Sequence, residues 1–165
     1  MAEAATRLQA LSPRRRVLLL MGLAALLITG TLFLTDQHET EIIVITFPGG
    51  KTIDAEVANT PEKLLFGLAF RDALPPDSGM LYIFETSDRH RLRTKGFKIP
   101  VDMICADENR RVVHVVTNAE PCREDPCPFY GPPPQNSAYV IQTAAGFVEA
   151  QRIVPGMELK FALRL

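Results

Sequence analysis

"EIIVITFPGGKTIDAEVA", residues 41–58, is the stretch whose reading decides the fold. Its first half is a β-branched run, and in its second half Ile53, Ala55 and Val57 alternate with Asp54 and Glu56. A period of two places the apolar set on one face of a strand, and the intervening "PGG" has the residues of a tight turn. The stretch predicts a β-hairpin with one buried face.

The same grammar continues along the chain. "GMLYIFE" (79–85), "VDMICAD" (101–107), "RVVHVVT" (111–117), "AYVIQT" (138–143) and "MELKFALRL" (157–165) read as strands, with "DENR" and "VPGM" as turns. Short strands separated by turns predict a mainly β fold, sandwich or barrel-like. One principal helix interrupts them. In "NTPEKLLFGLAFRDALPPDSG" (59–79), Thr60 suits the N-cap, Pro61 the first helical position and Glu62 the positive end of the helix. Leu64, Leu65, Leu68 and Ala69 form its apolar stripe. "GFVEAQR" (146–152) predicts a second, short helix that packs Phe147 and Val148 inward.

Ahead of this domain, "SPRRR" is followed by Val17 to Leu34, 18 residues without a charge. As a helix the run spans about 27 Å, close to the roughly 30 Å of a bilayer's hydrocarbon core. It is apolar all round, which predicts a transmembrane anchor or uncleaved signal rather than a buried amphipathic helix. The arginines should stay in the cytoplasm. The implied organisation is a basic cytoplasmic segment (1–16), an anchor (17–34), a linker (35–40) and an extracytoplasmic domain (41–165).

Charge supports that division. The chain of 165 residues has a net charge of −1, but its first 35 residues hold Arg7, Arg14, Arg15 and Arg16 against Glu3. That leaves 14 basic and 18 acidic residues, a net −4, for the remainder. Such a balance argues against nucleic acid as a partner, because phosphate binding needs clustered positive charge on a favourable background. Cys122 and Cys127, in "PCREDPCPFYGPPP", fit a small disulfide loop in an oxidising compartment, and Cys105 fits a buried thiol. Two cysteines without a second ligand pair are a poor zinc site, so no metal and no cofactor is expected.

No hydrolytic or phosphate-loop motif is present, and the chain has three histidines. His114, inside "VVHVV", reads as a core or cleft residue. Asp102 enters an apolar strand, where a buried carboxylate needs a partner; Lys95 or a nearby arginine is the expected one. Arg71 is expected at the C-terminal end of the principal helix. "DRHRLRTKGFKIP" (88–100) is unusual: if extended, Arg89, Arg91, Arg93 and Lys95 share one face. The row is either an edge strand guarded by its charges, the favoured reading, or a surface for an anionic lipid or glycan.

Together, "VANTPEKLLFGLAFRDALPPDSGMLYIF", the lysine before "IPVDM", "NRRVVHVVTNAEPCREDPCPFYG", "AYVIQTAAGF" and a final "PGM" resemble the DUF192 (UPF0127) family of bacterial proteins of unknown function. The resemblance covers about residues 41–163. It implies a compact β-rich fold, often exported or anchored, with no assigned reaction, and hence a bacterial inner-membrane location with a periplasmic domain. The family's usual pattern is "GLMFR", "GMLF.F" and "FWMKNT.IPLD". Gly67, Leu68, Phe70, Arg71, Gly79, Met80, Leu81, Phe84, Lys95, Ile99, Pro100 and Asp102 match it. Ala69 replaces a methionine, and Leu92, Arg93, Thr94, Gly96 and Phe97 stand where Phe, Trp, Met, Asn and Thr are usual.

The reading is therefore a membrane-anchored envelope protein whose domain binds a ligand or a protein partner. Arg71, Arg89, Arg91, Arg93, Lys95 and Asp102 are its candidate ligand-binding residues. The rival is an envelope enzyme acting on a polysaccharide or other polar substrate, with Asp102 as acid or base and cations stabilising negative charge.

Overall fold

In the structure, a computed structural model, the "PGG" turn closes the predicted hairpin. Strands β1 (Ile42–Thr46) and β2 (Thr52–Ala58) pair antiparallel, with Ile43 opposite Ala55 and Ile45 opposite Ile53. Residues 12–34 and 41–163 are described, and they fall into an N-terminal unit, Met1–Glu39, and a domain, Thr40–Leu165.

In the N-terminal unit, helix α1 runs over Pro13–Leu34. Among the described residues no helix is long and apolar enough to cross a membrane. The expected linker, 35–40, and most of the basic segment lie outside the described residues.

In the domain, the short helix α2 (Pro61–Phe66) connects β2 to β3 (Ser78–Asp88), which lies parallel to it. The remaining strands are β4 (Val101–Ala106), β5 (Val112–Ala119), β6 (Ser137–Ala144) and β7 (Lys160–Leu163), with helix α3 (Phe147–Ala150) between the last two. They form one seven-stranded sheet in the order β5-β4-β6-β3-β2-β1-β7. The mainly β expectation holds, and the seven strands read from apolar runs are all present. The segment leading into β7 also reaches the start of β5: Arg111 bridges to Glu158, and the Val112 N–H donates to the Met157 carbonyl at 2.8 Å. The two ends of the sheet are thus linked, which leaves less open edge for another chain to pair with.

Both faces of the sheet are covered, which explains why β4 is buried along its whole length. Ile45, Ile53, Leu81, Ile104, Ile141 and Leu159 pack on one face with Phe147 and Val148 of α3. Met80, Tyr82, Met103, Cys105 and Val140 face the other way, against Leu68, Ala69 and Phe97 from the connecting segments. Consecutive residues of β3 therefore enter different cores, as a period of two requires. His114 is half-buried, in keeping with a core or cleft position.

Three expectations are corrected. The principal helix is shorter than its apolar stripe. The Thr60 hydroxyl accepts from the Lys63 N–H as predicted, but Gly67, at φ 49°, ends the helix before Leu68 and Ala69. Those two residues still reach the core, whereas Leu65 is 76% exposed. Arg71 therefore does not end a helix. The basic row is not an edge strand either: β3 stops at Asp88, and residues 89–100 form a connection held by two isolated bridges, Leu92 to Tyr130 and Lys95 to Cys122. The positive φ of Gly96 turns the chain there, and the outer strands of the sheet are β5 and β7.

Candidate functional site

Tyr82 on β3 and Gln142 on β6 point to the same face from adjacent antiparallel strands, where diagonal neighbours come within side-chain reach. The Tyr82 hydroxyl donates to Gln142 Oε1 at 3.1 Å, and both side chains are buried. Burial raises the Tyr82 pKa far above the ordinary phenol range, opposed by the Gln142 hydrogen bond, so the hydroxyl stays neutral and remains a donor. The Gln142 amide nitrogen has no hydrogen-bond partner among the described residues.

These two side chains line a cavity of about 290 Å³, walled by Leu64 and Leu65 of α2 and by Phe97, with Arg91, Arg93 and Lys95 at its lip. The lip is organised by Phe129, which is half-exposed. The Arg93 guanidinium lies 3.9 Å from the centre of its ring and that of Arg91 lies 6.0 Å away. Such stacking contributes about 0.5–1 kcal/mol at an exposed site and holds a long side chain in place. Neither arginine has a carboxylate in ion-pair range among the described residues. Lys95 is different, since its Nζ is 2.6 Å from Asp125 Oδ2. The hydrogen bond and charge of Lys95 hold the Asp125 carboxyl below its usual range, with a smaller contribution from Arg93.

The other candidates lie apart from this cavity. Arg71 pairs with Glu56 at 2.6 Å, and Arg89 Nε donates to the Pro133 carbonyl at 2.7 Å. Asp102 is fully buried and forms no ion pair among the described residues, contrary to expectation. Its Oδ1 accepts from the Asn118 N–H and its Oδ2 from the Val148 N–H, each at 2.8 Å. Two backbone donors can satisfy a carboxylate as well as a side-chain cation can. With both oxygens engaged, Asp102 ties β4 to β5 and to the start of α3.

Tyr82, Gln142 and Phe129 did not stand out in the sequence. Tyr82 and Gln142 are polar tips inside the apolar runs "MLYIF" and "VIQT", and a buried polar group of this kind was the available signal. The departures from the usual family pattern acquire a location here, because Leu92, Arg93 and Phe97 all line the cavity. Thr94 instead turns inward, donating from its hydroxyl to the Glu120 carbonyl at 2.7 Å.

Beside the lip, Cys122 and Cys127 are joined in the expected disulfide, and Cys105 is a free buried thiol whose pKa burial pushes up to about 11. For a loop this short, replacing both bridged cysteines with serine should lower stability by about 2 kcal/mol. Chemical denaturation with and without reductant measures it; identical curves for the variant and the oxidised protein would show that the bridge contributes nothing.

Two solved structures share this fold. One is a "putative transcription regulator" from Sinorhizobium meliloti, 25% identical, with a TM-score of 0.63 over 74% of this chain and 93% of that one. The other is a protein of unknown function from Novosphingobium aromaticivorans, 23% identical, with a TM-score of 0.63 over 72% of this chain and 83% of that one. No curated protein matches in sequence. Residues 43–161 match the family described as DUF192, uncharacterized ACR. The chain therefore belongs to the DUF192 family.

Proposed function

We propose that the protein is a membrane-tethered domain of the bacterial cell envelope that binds an anionic ligand in the cavity above Tyr82 and Gln142. The observation that carries this reading is Arg93, stacked on Phe129 with Arg91 beside it at the lip of a half-open cavity, neither of them within ion-pair distance of a carboxylate among the described residues. Guanidinium groups held in this way suit a carboxylate or phosphate, which they can bind in a bidentate manner. The charge-free run Val17–Leu34 behind three arginines supports the tether and the outward orientation of the domain. A role in transcription gains no support from the net −4 of the residues beyond the first 35. The enzyme reading loses its acid or base in Asp102, whose oxygens are both occupied by backbone N–H groups.

The test is equilibrium binding of the full chain to anionic lipid headgroups and acidic glycans at low and moderate salt, beside the double variant Arg91→Gln, Arg93→Gln. Hydrogen bonds to charged groups contribute about 1.5–3 kcal/mol each, so the variant should bind at least about tenfold more weakly and with less salt dependence. Both side chains are exposed, and the fold should be unaffected. Equal binding by both proteins would remove the cavity lip from the function.

A further inference from the structure

The cavity assigned above to an anion adjoins a second one, of about 440 Å³, and Leu65 and Lys95 line both. The second space is bordered by Arg123, Glu124 and Asp125 as well as Lys95, but its wall is mainly apolar. Leu65, Phe66 and Phe70 are its large side chains, exposed by 76%, 49% and 65%, with Cys127 of the disulfide nearby. Three bulky apolar groups uncovered within six residues of chain form the kind of patch that marks an interaction site.

The backbone is arranged to keep them outside. Gly67 ends α2, so Leu68 and Ala69 turn into the core while Leu65 and Phe66 are left in the open. Phe70 has φ 67°, an unusual conformation for an aromatic residue, and its N–H is held by the Gly96 carbonyl at 2.9 Å. A strained conformation that presents an apolar ring to solvent is a cost that folding alone does not explain.

We infer that the ligand is a single-chain amphiphile with an anionic head. This rests on the binding reading above and adds the class of ligand. The head, a carboxylate or a phosphate, lies between Arg91 and Arg93 with the Gln142 amide as a further donor. The tail passes Leu65 and lies on Phe66 and Phe70. Lys95, at the junction of the two spaces, exchanges Asp125 for the head or keeps it as the tail goes by. Charge complementarity selects this occupant: a neutral hydrocarbon leaves the arginines unused, and a cationic amphiphile would set its head against them.

The experiment uses the full chain in phosphatidylcholine nanodiscs, with empty discs as the blank, titrated calorimetrically with hexanoate, octanoate and decanoate, and with decyl phosphate and decyltrimethylammonium. Affinity should rise on the order of fiftyfold from hexanoate to decanoate as methylenes enter apolar contact. Decyl phosphate should bind like decanoate, and the cationic compound should not bind. Leu65→Gln with Phe70→Asn should flatten the series, costing decanoate far more than hexanoate, whereas Arg91→Gln with Arg93→Gln should weaken every member alike. A flat series in the unaltered protein would overturn the amphiphile and leave the anion site standing. No binding by any anion would overturn both. A chain-length dependence that survives the Leu65 and Phe70 changes would place the tail elsewhere and refute the inference. So would binding to phosphatidylglycerol vesicles that decanoate does not displace, which would make the patch a surface for intact membrane.

Discussion

Asp102→Ala should destabilise the domain by about 3–5 kcal/mol, a large part of the roughly 5–15 kcal/mol that holds a typical domain together. The carboxylate is the acceptor for the N–H groups of Asn118 and Val148, and alanine would leave both without a partner. The Val148 donor is buried, so bulk water does not reach it to replace the lost oxygen. Asp102→Asn should cost less, about 1–3 kcal/mol, because one oxygen still accepts while the amide N–H opposes the other donor. Denaturation followed by circular dichroism measures both, and anion binding by the folded fraction should be unchanged. A stable Asp102→Ala protein that has lost binding would reverse the assignment and return Asp102 to the site.

Gly67→Ala should have an effect of similar size, about 2–4 kcal/mol, from a different cause. The position has φ 49°, and a Cβ there would overlap the Tyr82 hydroxyl and lie 2.8 Å from the ring carbon that bears it. Tyr82 is buried and tied to Gln142, so it can yield only by moving into the cavity that the two residues line. Stability and anion binding should therefore fall together. Adding Tyr82→Phe removes the overlapping oxygen and should restore part of the stability. A Gly67→Ala protein as stable as the original, or a double variant no better than the single one, would show that the glycine is not required by Tyr82.

The strands were legible because their signal is local. Alternation in "TIDAEVA" and the apolar run of "VDMICA", interrupted only by Asp102, report one buried face in the first case and two in the second. The limits of α2 were less so. The stripe Leu64, Leu65, Leu68 and Ala69 fits a helix, but Gly67 breaks the period between its second and third members, so Leu68 and Ala69 enter the core, Leu64 packs partly against it and Leu65 is left on the surface. The connection 89–100 was read as a strand because charges alternated with smaller groups. What distinguishes it is the choice of partners, Tyr130 and Cys122, which are distant in sequence and carry no local mark. The site was legible in the same uneven way. Arg91, Arg93 and Lys95 announced themselves by charge, while Tyr82 and Gln142 meet only once β3 and β6 have paired. Asp102 was correctly seen to need a partner, but backbone N–H groups leave no trace in a sequence.

The pairing of β1 with β7 sets Ile43 beside Leu163, so the first strand of the domain completes its ladder only with the last. Contacts between the two ends of a chain close its longest loop, and proteins rich in such contacts fold slowly. As the polypeptide is made, β1 and β2 can form a hairpin early, yet the outer edge of β1 stays open until residues 160–163 arrive. Throughout synthesis and any crossing of a membrane, the β-branched run at 42–46 is thus the segment most open to pairing with the wrong chain.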